Sequence, residues 1–445
     1  MNHQRLTRLA AVATVFAVAT IGCGKDDTAS TPGTTAKNDS GSTSGDFIVP
    51  AKDCANYEGT KGINGDTIKI GTVRPASGNF GIYDLVTQGL DAFVKATNMD
   101  GGVKAGDGKT YKLELAKGDD QYDPAKTPGE VQRLVEQEGV FAMVGEIGTS
   151  NNLAVRQYMN EKCVPSIALA TGSTEWGESA KYPWFIGGLP SYATETHRFV
   201  DFLKKDKPEA TIALLYQDDD FGKEVKAAME KSIKGSKIKL VDSQSYNPLT
   251  EASPESKVAA LAGSKADVLF VGIAGTPCPT ALKSVPDTWK PMTYVSITCS
   301  VKTAMSLAGG KDEGVYTGQA TLDPATDADR QNPKIQEYYT KGAAAGLSES
   351  LIEGGIAAAG WGFGAMFVEG LKLAKTVDRA GVMNALWSMK DVNYGLMRDD
   401  TKANTDGAKD PWALESLRIV RREAGQWKEV SPMISYDGQS NDLAG

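Results

Sequence analysis

The stretch VFAMVGEIGTSNN, residues 140–152, passes from an unbroken apolar run into glycines, hydroxyls and amides. Val140 through Val144 have the pattern of a strand buried on both faces. After Thr149, Ser150, Asn151 and Asn152, the residues Leu153, Val155 and Tyr158 take up a helical spacing. A buried strand that empties into the first turn of a helix is half of a β-α-β unit, so this stretch predicts a parallel sheet. Ligands of open parallel sheets bind outside the carboxyl ends of the strands. A helix N-terminus there offers unpaired N–H groups and the positive end of the helix dipole. Thr149 and Ser150 add hydroxyl donors without bulk, so GTSNN reads as a cradle for a carboxylate or a polar carbonyl. The competing reading is that Ser150 or Asn151 only caps its own helix.

Outward from this stretch the same alternation repeats. TIKIGTV, KLELAKGD and PSIALA read as further strands, separated by helical stretches such as YDLVTQGLDAFVKATN and TPGEVQRLVEQEG. After PWFIGGLPSY the alternation starts again, with TIALLYQD, IKLVDSQSY, ADVLFVGI and MTYVSIT as strands. Two such series predict an α/β protein with two doubly wound parallel-sheet lobes. Toward the end, ESLIEGGIAAAGWGFGAMFVEGLKLAKT reads as one long helix rich in small residues. SLRIVRR and QWKEV read as a hairpin turning at Ala424 and Gly425. No GxxxxGK(S/T) motif occurs, and GWGFGAMF lies inside a helical pattern, so nucleotide cofactors have no support.

The chain has 445 residues, 41% of them apolar, and a formal charge of −8. That supports a sizeable core and argues against a nucleic-acid partner, which calls for a basic face. Arg5, Arg8, the apolar run LAAVATVFAVATIG and the small residues before Cys23 make residues 1–23 a secretory signal. TIGC resembles a bacterial lipobox, although Thr20 stands where leucine is usual. Cys23 is then acylated, the alternative being ordinary cleavage with a stray thiol. Residues 24–46 are mainly Gly, Ser, Thr, Asp and Lys with no apolar face, and a flexible tether is expected over 24–61. No later stretch is long and apolar enough to span a bilayer.

With Cys23 set aside, Cys54, Cys163, Cys278 and Cys299 form an even set, which in an exported chain suggests disulfides. Cys278 and Cys299 are close in sequence, each just after a strand-like run, and are expected to pair; Cys54 with Cys163 is the residual pairing. No cysteine pair has metal-ligand spacing, and the only histidines are His3 and His197. Zinc sites and histidine-based catalysis therefore have little footing, and His197 reads as a surface-helix residue. The acids Asp218, Asp219 and Asp220, like Asp119, Asp120 and Asp123, read as turn and cap chemistry.

Four stretches of the chain resemble the type I periplasmic binding proteins, in particular the leucine/isoleucine/valine-binding branch of ABC-importer receptors. They are IKIGTVRPASGNFGIYDLVTQGLDAFVKATNMDGGV, KGDDQYDPAKTPGEVQRLVEQEGVFAMVGEIGTSNN, VPSIALATGSTEW and IALLYQDDDFGKE. The resemblance implies two lobes joined by a three-segment hinge. Lobe 1 is expected at 62–187 plus about 318–390, and lobe 2 at 188–317 plus about 391–445. It implies that Thr149 and Ser150 hold a ligand carboxylate, that Ala170, Thr171 and Gly172 join them, and that Tyr83 lies beyond the Ser-Gly turn. From lobe 2 it implies Phe221, Ala274 and Thr298. Thr298 stands where an acidic residue commonly meets the ammonium of an amino-acid ligand, so the anion end is implied and the ammonium end is not.

The function so implied is an extracytoplasmic, lipid-anchored and monomeric receptor. It captures a small polar ligand (an amino acid, an amide or a small carboxylate) for the permease of an ABC importer. No catalysis, cofactor or metal is expected. Two alternatives stay open: a sensing module coupled to signalling, and a secreted hydrolase using carboxylates. Neighbouring permease and ATPase genes favour the importer, whereas turnover of a bound ligand favours the hydrolase.

Overall fold

The computed structural model describes residues 49–407 and 409–444. The expected signal, Cys23 and the tether up to residue 48 lie outside the described residues. Residues 49–61, expected as the end of the tether, are packed. Val49 is buried and its N–H donates to Asn384 Oδ1 at 2.7 Å. The Tyr57 hydroxyl donates to Asp378 Oδ1 at 3.2 Å and accepts from the Ala380 N–H at 2.8 Å. Cys54 is bonded to Cys163. Three anchoring side chains in an otherwise polar stretch suffice to fix it to the domain.

A seven-stranded sheet forms the first lobe. Its strands are β1 (Ile63–Asn64), β2 (Thr67–Arg74), β3 (Val103–Lys104), β4 (Thr110–Asp119), β5 (Ala142–Val144), β6 (Ser166–Leu169) and β7 (Phe185–Gly187), in the order β3-β4-β2-β5-β6-β7 with β1 on β2. The pairs β2–β4, β2–β5, β5–β6 and β6–β7 are parallel. The apolar run of residues 142–144 is buried throughout, as a central strand covered by helices on both faces requires.

The second lobe has eight strands. They are β8 (Thr211–Gln217), β9 (Lys239–Tyr246), β10 (Val268–Gly272), β11 (Met292–Val295), β12 (Tyr316–Gln319), β13 (Ser416–Glu423), β14 (Gln426–Glu429) and β15 (Ile434–Ser435), in the order β14-β13-β12-β11-β10-β8-β9 with β15 on β13. β13 and β14 form the expected hairpin, with both Ala424 and Gly425 at positive φ (49° and 73°), the backbone a two-residue hairpin turn requires. Cys278 is bonded to Cys299 in this lobe.

The chain passes between the lobes three times: after Gly187, after Gln319 and before Ser416. The last crossing falls later than the expected residue 391. Residues 391–407 stay with lobe 1, where Val392 pairs with Ala403, the Thr405 N–H donates to the Met389 carbonyl and the Gly407 N–H to the Trp387 carbonyl. This segment is nearly devoid of regular structure, so periodicity carries no mark of where it belongs.

Five helices of the two β-α series are used below: α1 (Asp84–Met99), α2 (Thr127–Gln132), α3 (Thr149–Lys162), α4 (Tyr192–Asp206) and α5 (Asp220–Ile233). The expected long C-terminal helix is broken in two, Glu349–Gly354 and Ile356–Leu373, by Gly355 in the left-handed region at φ 81°. The Ile356–Leu373 helix is apolar nearly all round and crosses α1 with the two backbones in contact. A β-carbon on Gly89 would run into the Ala357 carbonyl, and one on Gly360 into the Val86 carbonyl. A β-carbon on Gly362, two residues further on, would meet nothing within 4 Å.

This contrast gives a paired expectation. Gly360→Ala destabilises the protein by about 1–3 kcal/mol, the usual cost of overpacking. Gly362→Ala is neutral or stabilising by up to about 1 kcal/mol, because alanine favours helix. Guanidinium unfolding of the two variants measures the difference, and equal midpoints would contradict the crossing described.

Candidate ligand-binding site

The carboxyl ends of β2, β5 and β6 in lobe 1 face those of β8, β10 and β11 in lobe 2, and a cavity of about 230 Å³ lies between them. Of the nine residues expected at the site, Tyr83, Ala170, Phe221, Ala274 and Thr298 line this cavity. Thr149, Ser150, Thr171 and Gly172 do not. Thr149 is fully buried and shares a 2.6 Å hydrogen bond with the Thr171 hydroxyl, which also accepts from Tyr192 Oη at 3.3 Å. The Ser150 hydroxyl donates across the cleft to Asp220 Oδ2 at 2.7 Å. Gly172 is pressed against the Pro190 carbonyl. The hydroxyls expected to grip an anion are thus engaged within the protein. What the opening stretch offers the cavity is Ile147 and Gly148, the latter being the residue before α3, held at φ 101° with no side-chain cap.

Across the cleft the lobes are tied by hydrogen bonds. Tyr83 Oη donates to the Thr298 carbonyl at 2.9 Å and accepts from the Gly275 N–H at 2.9 Å, so this lobe 1 phenol clamps two lobe 2 loops. The Asn79 carbonyl accepts from the Thr276 N–H at 3.1 Å and from the Thr276 hydroxyl at 3.0 Å. On α5, Glu224 accepts from the Ser173 hydroxyl at 2.5 Å and from the Thr174 N–H at 2.9 Å. Around these bonds Phe80 stacks on Tyr122 with ring centroids 3.7 Å apart, and Tyr192 lies 4.6 Å from Phe221.

Burial raises the pKa of several groups here. The Tyr83 phenol is pushed up to about 12. Glu224 is pushed up to about 7 by burial, with Glu175 and Asp220 acting in the same direction against its two hydrogen bonds. Glu195 on α4 also rises to about 7, chiefly by burial. Its carboxylate is occupied by Tyr294 Oη at 3.1 Å, the Ser296 hydroxyl at 3.1 Å and the Ile297 N–H at 2.8 Å.

The acid runs behave as turn and cap residues. Asp219 caps α5 by accepting from the Gly222 N–H at 3.1 Å. Asp120 accepts from the Tyr122 N–H, the Thr127 hydroxyl at the start of α2, and Asn151 Nδ2. His197 pairs with Asp201 at 3.2 Å, on the side chain four residues along α4.

Sequence reasoning did not single out Tyr122, Tyr192, Gln319 or the Ile356–Leu373 helix as cavity walls. For Tyr122 a signal existed: it sits between the acids of DDQYDP, and both Gln121 and Tyr122 adopt positive φ (57° and 62°), a sharply turned segment that points a ring into the cleft. Among the described lining residues, Asp323 is the one charged side chain. Its carboxyl is pushed up to about 6 by burial.

Two parallel-sheet lobes, three crossings and a cavity between facing loops that hydrogen-bond to one another define a two-lobed α/β protein with its cavity in the cleft. A family model described as periplasmic binding protein matches residues 67–421, and the chain belongs to that family. It is 27% identical over 213 residues to Leu/Ile/Val-binding protein homolog 7 of Brucella abortus, covering 46% of this chain and 51% of that protein. The chain thus spans about half the length of the relatives it matches. Solved structures share the fold, three of them as follows. A branched chain amino acid ABC transporter protein from Thermus thermophilus with bound valine gives a TM-score of 0.75 at 17% identity, covering 86% of this chain and all of that one (100%). A fatty acid ABC transporter substrate-binding protein from Thermomonospora curvata gives 0.70 at 20% identity, over 86% and 96%. A solute binding protein from R. palustris in complex with 4-hydroxybenzoate gives 0.69 at 18% identity, over 84% and 98%.

Two outcomes follow from the bonds between the lobes. Tyr83→Phe leaves the Gly275 N–H and the Thr298 carbonyl without their partner in the closed form, and ligand retention falls roughly ten- to a hundredfold, as read by dissociation kinetics. Closure also responds to pH. In the closed form Glu224 keeps its proton up to about pH 7, whereas in the open form water returns it toward the ordinary value of 4.5. Closure therefore takes up a proton between those values. The closed form is fully favoured below the open-form pKa and loses that advantage as pH rises through about 7. Scattering at graded pH reads this as a growing radius, and Glu224→Gln flattens the dependence.

Proposed function

We propose that this chain is the solute receptor of an ABC importer, exported, anchored outside the cytoplasm through an acylated Cys23, and closing its two lobes around a small ligand that it delivers to the permease. The observation that carries the reading is the cavity of about 230 Å³ between loops that hydrogen-bond to one another across the cleft. Membership of the periplasmic binding protein family and the disulfides Cys54–Cys163 and Cys278–Cys299 agree with an oxidising, extracytoplasmic compartment. Among the described residues, no helix is long and apolar enough to cross a membrane. The anchor in this reading is Cys23 of the lipobox-like stretch TIGC.

The fold neighbours are described with different cargoes, namely valine, 4-hydroxybenzoate and fatty acid. The cavity wall is mostly apolar, with Ile147, Phe221, Phe363 and Met366 on it, and Asp323 is the one charged side chain among the described lining residues. Glu195 is engaged by three donors within the protein, so Asp323 is the acid that an α-ammonium would meet. Among small ligands, the wall favours one that is mostly apolar.

Two measurements test the reading. Cys23→Ser moves the protein from the membrane fraction to the soluble fraction; a variant that stays membrane-bound and normally processed removes the anchor. Mass spectrometry of an extract of the natively purified protein identifies a bound small molecule, and adding it back to ligand-freed protein contracts the particle in solution scattering. An unchanged radius at saturation removes the closing receptor.

A further inference from the structure

The cavity does not end at the cleft. It continues past the hinge along the Ile356–Leu373 helix, where Ile356, Ala359, Gly362, Phe363 and Met366 line it. Those positions cover roughly 15 Å of helix axis, at about 1.5 Å per residue. A rounded apolar cavity of roughly 150 Å³ already takes benzene. This one, at about 230 Å³ and drawn out along a helix, has room for more than an amino-acid side chain.

Two hydroxyls on its wall have no hydrogen-bond partner among the described residues. Thr298 Oγ1 is at the cleft, and Tyr394 Oη is on the side of lobe 1. Tyr394 is only 8% exposed, and burying an unpaired hydroxyl is costly unless something that binds there supplies an acceptor. At the cleft end Gly148 brings the uncapped start of α3 to the cavity wall. Asp323, the one charged lining residue, lies on the second crossing beyond Gln319 and repels an anion from that part of the cavity.

Resting on the receptor reading above, we propose that the ligand is an elongated amphiphile of the acyl-chain class. Its carboxylate lies at the cleft, near the start of α3 and Thr298. Its chain lies along the Ile356–Leu373 helix, with an oxygen substituent that meets Tyr394. A valine-sized ligand fills only the cleft end and leaves the helix arm to water, which an apolar wall disfavours.

The probes are butanoate, octanoate, dodecanoate and ω-hydroxydodecanoate, with leucine beside them, titrated by calorimetry. Affinity rises about three- to fourfold per added methylene until the arm is filled. The ω-hydroxy acid binds more tightly than dodecanoate, and Tyr394→Phe erases that difference. Gly362→Leu plugs the arm where there is open space beside the helix. It weakens dodecanoate at least tenfold and butanoate much less, with Gly362→Ala as a smaller plug of intermediate effect. Affinities that are flat in chain length, or a Gly362→Leu variant that is folded and binds dodecanoate undiminished, overturn the proposal. Tight leucine binding with lobe closure and no binding of any acid also overturns it and leaves the receptor reading intact. Failure of the lobes to close with any of these probes or with the co-purifying molecule removes both.

Discussion

The contact between α1 and the Ile356–Leu373 helix sets the rest of the structure. The two backbones touch because Gly89 and Gly360 carry no β-carbon. A helix that approaches so closely can be buried nearly all round, and its length is then shared between two environments. On one side it packs into the core of lobe 1. On the other, residues 356–366 look into the space between the lobes. Had the helix been held off by larger side chains, its apolar face would have closed over the cavity or been displaced from it. The depth of the cavity is therefore tied to two missing methyl groups, one of them against Val86 on the cavity wall.

A second consequence concerns where polarity is used. The loops after the parallel strands are rich in hydroxyls and amides, and those groups mostly bond to one another. Thr149 holds Thr171, Ser150 holds Asp220, and Tyr83 joins the Gly275 and Thr298 loops. The Thr149–Thr171 bond lies within lobe 1, whereas those of Ser150 and Tyr83 cross the closing interface, and each of these contributes about 1 kcal/mol net because water satisfied the same groups in the open form. Several together make closure favourable without assigning the polar groups to the ligand. The interior left behind is consequently apolar, with Ile147, Phe221, Phe363 and Met366 on its wall.

Much of the fold was readable in the sequence because parallel strands and their helices announce themselves by pattern. The run at 141–144 is continuous because both faces are covered, and the hairpin at Ala424 and Gly425 is marked by its turn residues. The missed features have no periodic signal. Nothing in GGIAAAG says that Gly355 turns left-handed and breaks the helix, and nothing in residues 391–412 says on which lobe they lie. At the site, residue type was informative and direction was not. Tyr83, Phe221, Ala274 and Thr298 reach the cavity, whereas Thr149 and Ser150 have the right chemistry and face other side chains. The glycines of GWGFGAMF were legible as packing residues, which holds for Gly360 against Val86; that Gly362 looks into open space is a matter of helical phase that only the neighbouring elements decide.

An apolar cavity behind a polar latch also fixes what kind of selectivity is possible. A site that pairs a buried charge with a ligand charge discriminates sharply, because the wrong ligand leaves a charge or hydrogen-bonding group unpaired. A site that fills volume with methylenes discriminates gradually, since each group adds or removes only about 0.8 kcal/mol. In this protein the latch is made largely of bonds from protein to protein. On the proposed reading, the lower limit on ligand size would be set by how much apolar wall is left wet, and the upper limit by the length of the arm along residues 356–366. The unpartnered hydroxyls of Thr298 and Tyr394 would then be two points at which a ligand oxygen is distinguished from a methylene. Such a site would select by length and by the placing of a few oxygens, a graded specificity suited to gathering related molecules rather than a single one.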